Sequence, residues 1–267
     1  MKPMRTIILL AAVSVPLAAQ APAHQTRDGK PNLTAPAPRL NGKPDLTGVW
    51  EAERTSAAQM DRFLGNGFSS LQVDYGDLSK YAIDVFWGMK REEEPLQPAA
   101  VAILKQRAGK PDPPSRCLPG GIPANLLVYS LKIIQTPQEL VMLPGSGDPP
   151  REIYTDGRGL PASPEPTWAG SSVGKWRGDL LLVETTGFKE ESWLDGVGHP
   201  RSESMHIRET YRRRDSGHLD LEVTIEDPKY YTKPANFKTT FNLIPGGQVL
   251  EFVCGENEKD RAHIAAR

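Results

Sequence analysis

The stretch His206-Ile207-Arg208-Glu209-Thr210-Tyr211-Arg212-Arg213-Arg214-Asp215-Ser216-Gly217-His218-Leu219-Asp220-Leu221-Glu222-Val223-Thr224-Ile225-Glu226 alternates apolar and polar side chains on either side of a short polar break. Alternation with a period of two marks a half-buried strand, and two such runs joined by three residues that include glycine mark a hairpin. With Asp215-Ser216-Gly217 as the loop and Gly217 in the left-handed position, Arg212 faces Asp220, Thr210 faces Glu222, Arg208 faces Thr224 and His206 faces Glu226, so opposite charges meet along one face. The other face pairs Tyr211 with Leu221, Glu209 with Val223 and Ile207 with Ile225, and is apolar except for Glu209. A two-residue loop would set Glu209 against Glu222 and Tyr211 against Asp220, which opposes like charges and mixes the faces; the three-residue register is therefore preferred.

Outward from this hairpin the same punctuated pattern recurs. Strands are expected at Leu126 to Gln135, Glu139 to Leu143, Glu152 to Tyr154, Ser172 to Trp176, Leu180 to Thr186, Met205 to Arg213, Leu219 to Glu226, Phe237 to Leu243 and Val249 to Cys254. With an early strand at Leu46-Thr47-Gly48-Val49-Trp50 they number about ten, joined by links of hairpin length such as Asp156-Gly157, Arg177-Gly178 and Gly246-Gly247. Many strands with short links predict a mainly β fold, an antiparallel up-and-down barrel, because closure removes exposed edges. A two-sheet sandwich is the alternative. A barrel of about eight to ten strands has room for one small ligand. Residues 52 to 115 break the pattern and read as a helix and loop insertion in a barrel domain of residues 46 to 267; its helix spans Pro98 to Gln106 and is ended by Pro111, Pro113 and Pro114. Alternation in the Leu180 strand groups Glu184 with Leu180 and Leu182, so Glu184, like Glu209, is expected to face apolar surroundings.

The N-terminus carries Lys2 and Arg5 ahead of an apolar run from Ile7 to Leu17 that is too short to span a bilayer, the pattern of a signal peptide over residues 1 to 23. Export to the periplasm or beyond is expected, with no membrane insertion. Losing Lys2 and Arg5 from 32 basic side chains leaves 30 against 33 acidic ones, a net charge of about −3 that does not steer nucleic acid. Residues 24 to 45, rich in Pro, Gly and Ala, read as an extended strap on the domain or a disordered tail. Cys117 and Cys254, the only cysteines, are expected to be bridged in an oxidising compartment.

Several stretches make the chain resemble a widespread group of exported bacterial proteins over most of its length after the leader. They include Gly42-Lys43-Pro44-Asp45-Leu46-Thr47-Gly48-Val49-Trp50, Arg116-Cys117-Leu118-Pro119-Gly120-Gly121-Ile122-Pro123, Ser172-Val173-Gly174-Lys175-Trp176-Arg177-Gly178-Asp179, Val183-Glu184-Thr185-Thr186-Gly187-Phe188 and Gly198-His199-Pro200. The resemblance supplies no reaction. This chain departs from the group's pattern where Gly159-Leu160-Pro161 replaces a His-Pro step and where Arg201 replaces a second histidine; if those histidines bind a metal elsewhere, the site is lost here. Separately, Gly48-Val49-Trp50 is similar to the glycine-any-tryptophan signature that opens lipocalin barrels, which supports a lipocalin-like fold by analogy.

Candidate chemistry concentrates in three places. The link from Gly187 to Ser204 holds Trp193, Asp195, His199 and Arg201, in which Asp195 and His199 could form an acid–base pair; the alternative is a solvated loop whose Trp193 caps one barrel end. Glu184 and Glu209 are ligand anchors or a second acid–base pair, unless each is ion-paired to Arg158, Arg208 or Arg212 at a rim. Trp50, Trp176, Trp193, Tyr211 and Tyr230 are candidate ligand-lining rings. No phosphate loop, dinucleotide fingerprint, nucleophile elbow or paired metal-ligand helix occurs, so no cofactor and no metal are expected. Three readings stay open: a barrel that binds a small, partly apolar molecule, a cofactor-free lyase, isomerase or hydrolase using Asp195, His199, Glu184 and Glu209, and a structural envelope protein.

Overall fold

The computed structural model describes residues 25–26, 28–56, 58–60 and 78–254. The leader expected over residues 1–23 and residues 61–77 of the insertion lie outside them. The elements run β1 (Arg39–Leu40), β2 (Lys43–Pro44), β3 (Gly48–Ala52), α1 (Lys80–Ile83), α2 (Pro98–Arg107), β4 (Ser130–Gln135), β5 (Glu139–Pro144), β6 (Arg151–Tyr154), β7 (Ser171–Arg177), β8 (Leu180–Thr186), β9 (His206–Arg213), β10 (His218–Glu226) and β11 (Ala235–Leu243). Strands β3 to β11 close into one barrel, in the order β10-β11-β3-β4-β5-β6-β7-β8-β9. The mainly β barrel read from the alternation is the fold that forms, with nine strands, and it is consistent with the lipocalin-like plan suggested by Gly48-Val49-Trp50.

The deciding hairpin pairs in the expected register: Arg212 with Asp220, Tyr211 with Leu221, Glu209 with Val223 and His206 with Glu226. Its outer face carries ion pairs, Arg208 with Glu226 at 2.6 Å and Arg214 with Asp220 at 2.8 Å, while Ile207, Glu209, Tyr211, Leu221, Val223 and Ile225 are buried within.

Four expectations need correction. Gly217 is not among the residues with positive φ. What demands glycine there is contact: a Cβ would lie 2.5 Å from Leu33 Cβ and 2.8 Å from its carbonyl oxygen. The barrel is not wholly antiparallel, because β6 and β7 run parallel, paired only at Ile153 with Ser172 and Tyr154 with Val173. Residues 155–170 therefore return the length of the barrel before β7 begins. Val249 to Cys254 is not a strand, and the Leu126 run starts late, at Ser130, because Ala124–Leu126 coils into a short 3-10 turn and Tyr129 takes φ 61°.

Following the strands places the insertion and three of the longer links at one end. There β3 leaves toward the insertion, β5 passes to β6, β8 passes to β9 and β10 passes to β11. At the opposite end the strap docks: Ser216 N–H donates to Ala35 O at 2.8 Å, and Gly217 N–H to Leu33 O at 2.7 Å. Trp50, fully buried, seals that end, with its Nε1 donating to Leu46 O at 3.0 Å and the Arg213 guanidinium 4.9 Å from its ring centre. The segment through Leu33, Ala35 and Pro36 is thus hydrogen-bonded to the β9–β10 turn. Between the ends the interior is filled by Leu131, Ile133, Leu140, Met142, Tyr211 and Phe241 among others, all essentially inaccessible.

Candidate functional site

At the open end a cleft of about 640 Å³ lies between the insertion, the segment before β4, the β5–β6 turn and the β8–β9 link. Its walls are mostly apolar, with Ile83, Leu118, Val128, Val197, Trp193 and Phe252 among them. The disulfide Cys117–Cys254, expected from composition, forms part of the wall, with Cα atoms 5.5 Å apart. It does not tie a last strand to the barrel: the segment after β11 returns along the outside, and Phe252 packs against Gly147. Two polar atoms of the wall, Asn125 Oδ1 and Ser146 Oγ, are hidden from solvent and have no hydrogen-bond partner among the described residues. Burying an acceptor without a partner costs about 1–3 kcal/mol. Neither residue was singled out in the sequence, since both lie in segments without strand periodicity.

Beneath the cleft is a buried charged cluster. Asp195 Oδ1 accepts the N–H groups of Gly198 (3.0 Å) and His199 (3.1 Å), and Oδ2 accepts that of Val85 (2.9 Å). His199 Nδ1 lies 2.6 Å from Asp195 Oδ2 and Nε2 lies 3.2 Å from Glu94 Oε2. Arg91 in turn donates to Glu94 at 2.9 Å. Burial alone would lower the His199 pKa; the Asp195 carboxylate, helped by Glu94 and Asp84, outweighs this and raises it to about 9. Burial and the neighbouring Asp195 push Asp84 up. Asp84, Asp195 and His199 offer ligand atoms within 4.8 Å of one another. They fit a metal poorly, because Nδ1 and Oδ2 already sit at hydrogen-bond distance and the Asp195 oxygens take three backbone donors. The arrangement is an imidazolium held by carboxylates. The β8–β9 link is accordingly not a solvated loop. Leu194, Asp195, His199 and Arg201 are all buried, and the Arg201 guanidinium donates to the carbonyls of Lys189 (2.9 Å), Ile122 (3.1 Å) and Trp168 (3.0 Å).

Glu209 faces inward, but its partner is none of the arginines expected. Arg151, at the start of β6, reaches across the interior with Nη1 2.9 Å from Glu209 Oε1 and Nη2 on Oε2. Its remaining donors go to Ser172 Oγ (3.1 Å) and Thr185 Oγ1 (2.8 Å), and Tyr211 donates its hydroxyl to Glu209 at 2.8 Å. Burial, then the Glu209 carboxylate, holds the Tyr211 phenol well above its usual range. Alternation places Arg151 on the same face as Ile153, a signal lost when the strand is begun one residue late.

Glu184 does not face apolar surroundings: Leu181, Val183 and Thr185 point inward, and Glu184 stands outside with its side chain 54% exposed, 3.7 Å from His206 Nε2. The continuous apolar run Leu180 to Val183 hid the parity. Of the expected lining rings, Trp193 borders the cleft, with Arg107 5.2 Å above its ring. Trp50 and Tyr211 are packed within the barrel, Trp176 lies against its core, and Tyr230 is buried under Lys229. Further cavities include one of about 620 Å³ over the β6–β7 seam with Arg151 and Ser172 in its wall, and one of about 520 Å³ bordered by Phe86, Glu94 and Lys233.

A closed, mainly β barrel sealed at one end, with a cleft built from connections at the other, is consistent with a lipocalin-like fold. No family model matches the chain, and no curated protein matches its sequence significantly.

Proposed function

We propose that this chain is an exported barrel that binds one small, partly apolar molecule, held in the cleft at the open end and not in the packed interior. The observation that carries the reading is the cleft itself: about 640 Å³ of mainly apolar wall with the Asp112 and Asp148 carboxylates among its few polar groups. Export is supported by the leader pattern of residues 1–23, by the disulfide, and by the resemblance to exported bacterial proteins. Among the described residues no helix is long and apolar enough to cross a membrane. Mass spectrometry of small molecules that co-purify with the mature protein tests the reading. The molecule is retained in Glu184→Ala and lost in Asn125→Leu and Trp193→Ala; retention in all three removes the cleft from consideration.

A second reading, cofactor-free acid–base catalysis, has the 2.6 Å contact between Asp195 and His199 beside the cleft wall in its favour. It requires the bound molecule to be converted by the wild type and left unchanged by His199→Gln.

A further inference from the structure

The charged residues in the cleft wall are all of one sign. Asp112, Asp148 and Asp195 border it, and among the described residues no Lys, Arg or His does. Asp148 is half-buried and accepts two backbone N–H groups, from Gly120 and Gly121 at 3.0–3.1 Å through Oδ2, which leaves acceptor capacity unused. The cations of neighbouring segments are committed elsewhere: Arg107 donates to the carbonyls of Gly198 and His199, and Arg201 to three carbonyls of its own.

Asp195 is compensated by His199, but a carboxylate or phosphate ligand would meet Asp112 and Asp148 with no cation in the wall, which electrostatic complementarity disfavours. A ligand with N–H donors and a positive charge meets the Asp112 and Asp148 carboxylates, and the rings of Trp193, Tyr129 and Phe252 suit a cation as well as an apolar body.

We propose that the cleft selects a protonated amine carrying an apolar body, with the ammonium directed to the Asp148 and Asp112 carboxylates. This rests on the cleft being a binding site at all. The two claims separate in one calorimetric experiment on the mature protein with three matched probes, octylammonium, octan-1-ol and octanoate, at neutral pH. Octylammonium binds at least about tenfold tighter than octanol, and octanoate binds weakest. Asp112→Asn and Asp148→Asn, singly and together, bring octylammonium toward the affinity of octanol while octanol itself is unchanged, which also shows that the cleft remains folded. Equal affinity for the three probes, or preference for octanoate, overturns the choice of an amine and leaves the binding site standing. Failure of all three to bind overturns the binding reading and this inference with it.

Discussion

At the level of single residues, the barrel interior is organised around one ion pair in an otherwise apolar space. Arg151 and Glu209 are each almost wholly inaccessible, and every donor group described on Arg151 is met by Glu209, Ser172 or Thr185. Breaking a buried pair by deleting one partner leaves a charge without compensation, at a cost of about 3–5 kcal/mol, whereas replacing both by apolar groups is far less damaging. Glu209→Ala is expected to lower the urea unfolding free energy by that amount, and Arg151→Met with Glu209→Leu to recover most of it. An unchanged midpoint for Glu209→Ala would show that the pair is not closed off. His199 adds a pH dependence. Its pKa rises on folding from 6.5 to about 9, so its stabilising contribution is complete below about pH 6.5 and is lost as pH climbs through about 9. The change is on the order of 3 kcal/mol. Unfolding curves between pH 6.5 and 9.5 should show this decline in the wild type and a flatter profile in His199→Gln.

Legibility at this scale followed the clarity of the alternation. Glu209 sits in a run where every second residue is apolar, and its inward direction could be read directly; Glu184 sits where four apolar residues run together, and it could not. The pairing of Asp195 with His199 was one of two readings of the long link that holds both. Asp84 and Glu94, which complete that cluster, come from an insertion with no period and gave no sequence signal for meeting it.

Among the elements, the β9–β10 turn and the strap depend on each other. Gly217 has ordinary backbone geometry but no room for a side chain under Leu33. Gly217→Ala is therefore expected to lift the strap, which speeds amide exchange at Ser216 and Gly217, the donors to Ala35 and Leu33. Exchange confined to its wild-type rate would mean that Leu33 yields instead. At the cleft the disulfide spans 137 residues of sequence, a closure that the chain-entropy account values at about 5 kcal/mol. Cys117→Ser with Cys254→Ser should lower the midpoint of unfolding and weaken binding in the cleft, since both cysteines form its wall. The barrel strands were legible because their connections are short. The parallel β6–β7 seam was not, because residues 155–170 contain turn residues that look the same whether a chain reverses or doubles back.

For the molecule as a whole, the barrel divides its labour between two ends. One is closed by Trp50, Arg213 and the docked strap; the other gathers the insertion and the long links around a cleft. Closure and strand count could be inferred from alternation and edge avoidance, but where the cavity lies depends on how loops without periodicity fold over one rim.

The placement of the strap has a practical corollary for presenting the protein on a bead, a sensor chip or a cell surface. A tether attached ahead of Gln25 leaves the molecule standing on its sealed base with the cleft pointing away from the support. One attached beyond Cys254 starts beside the cleft wall and crowds whatever approaches it.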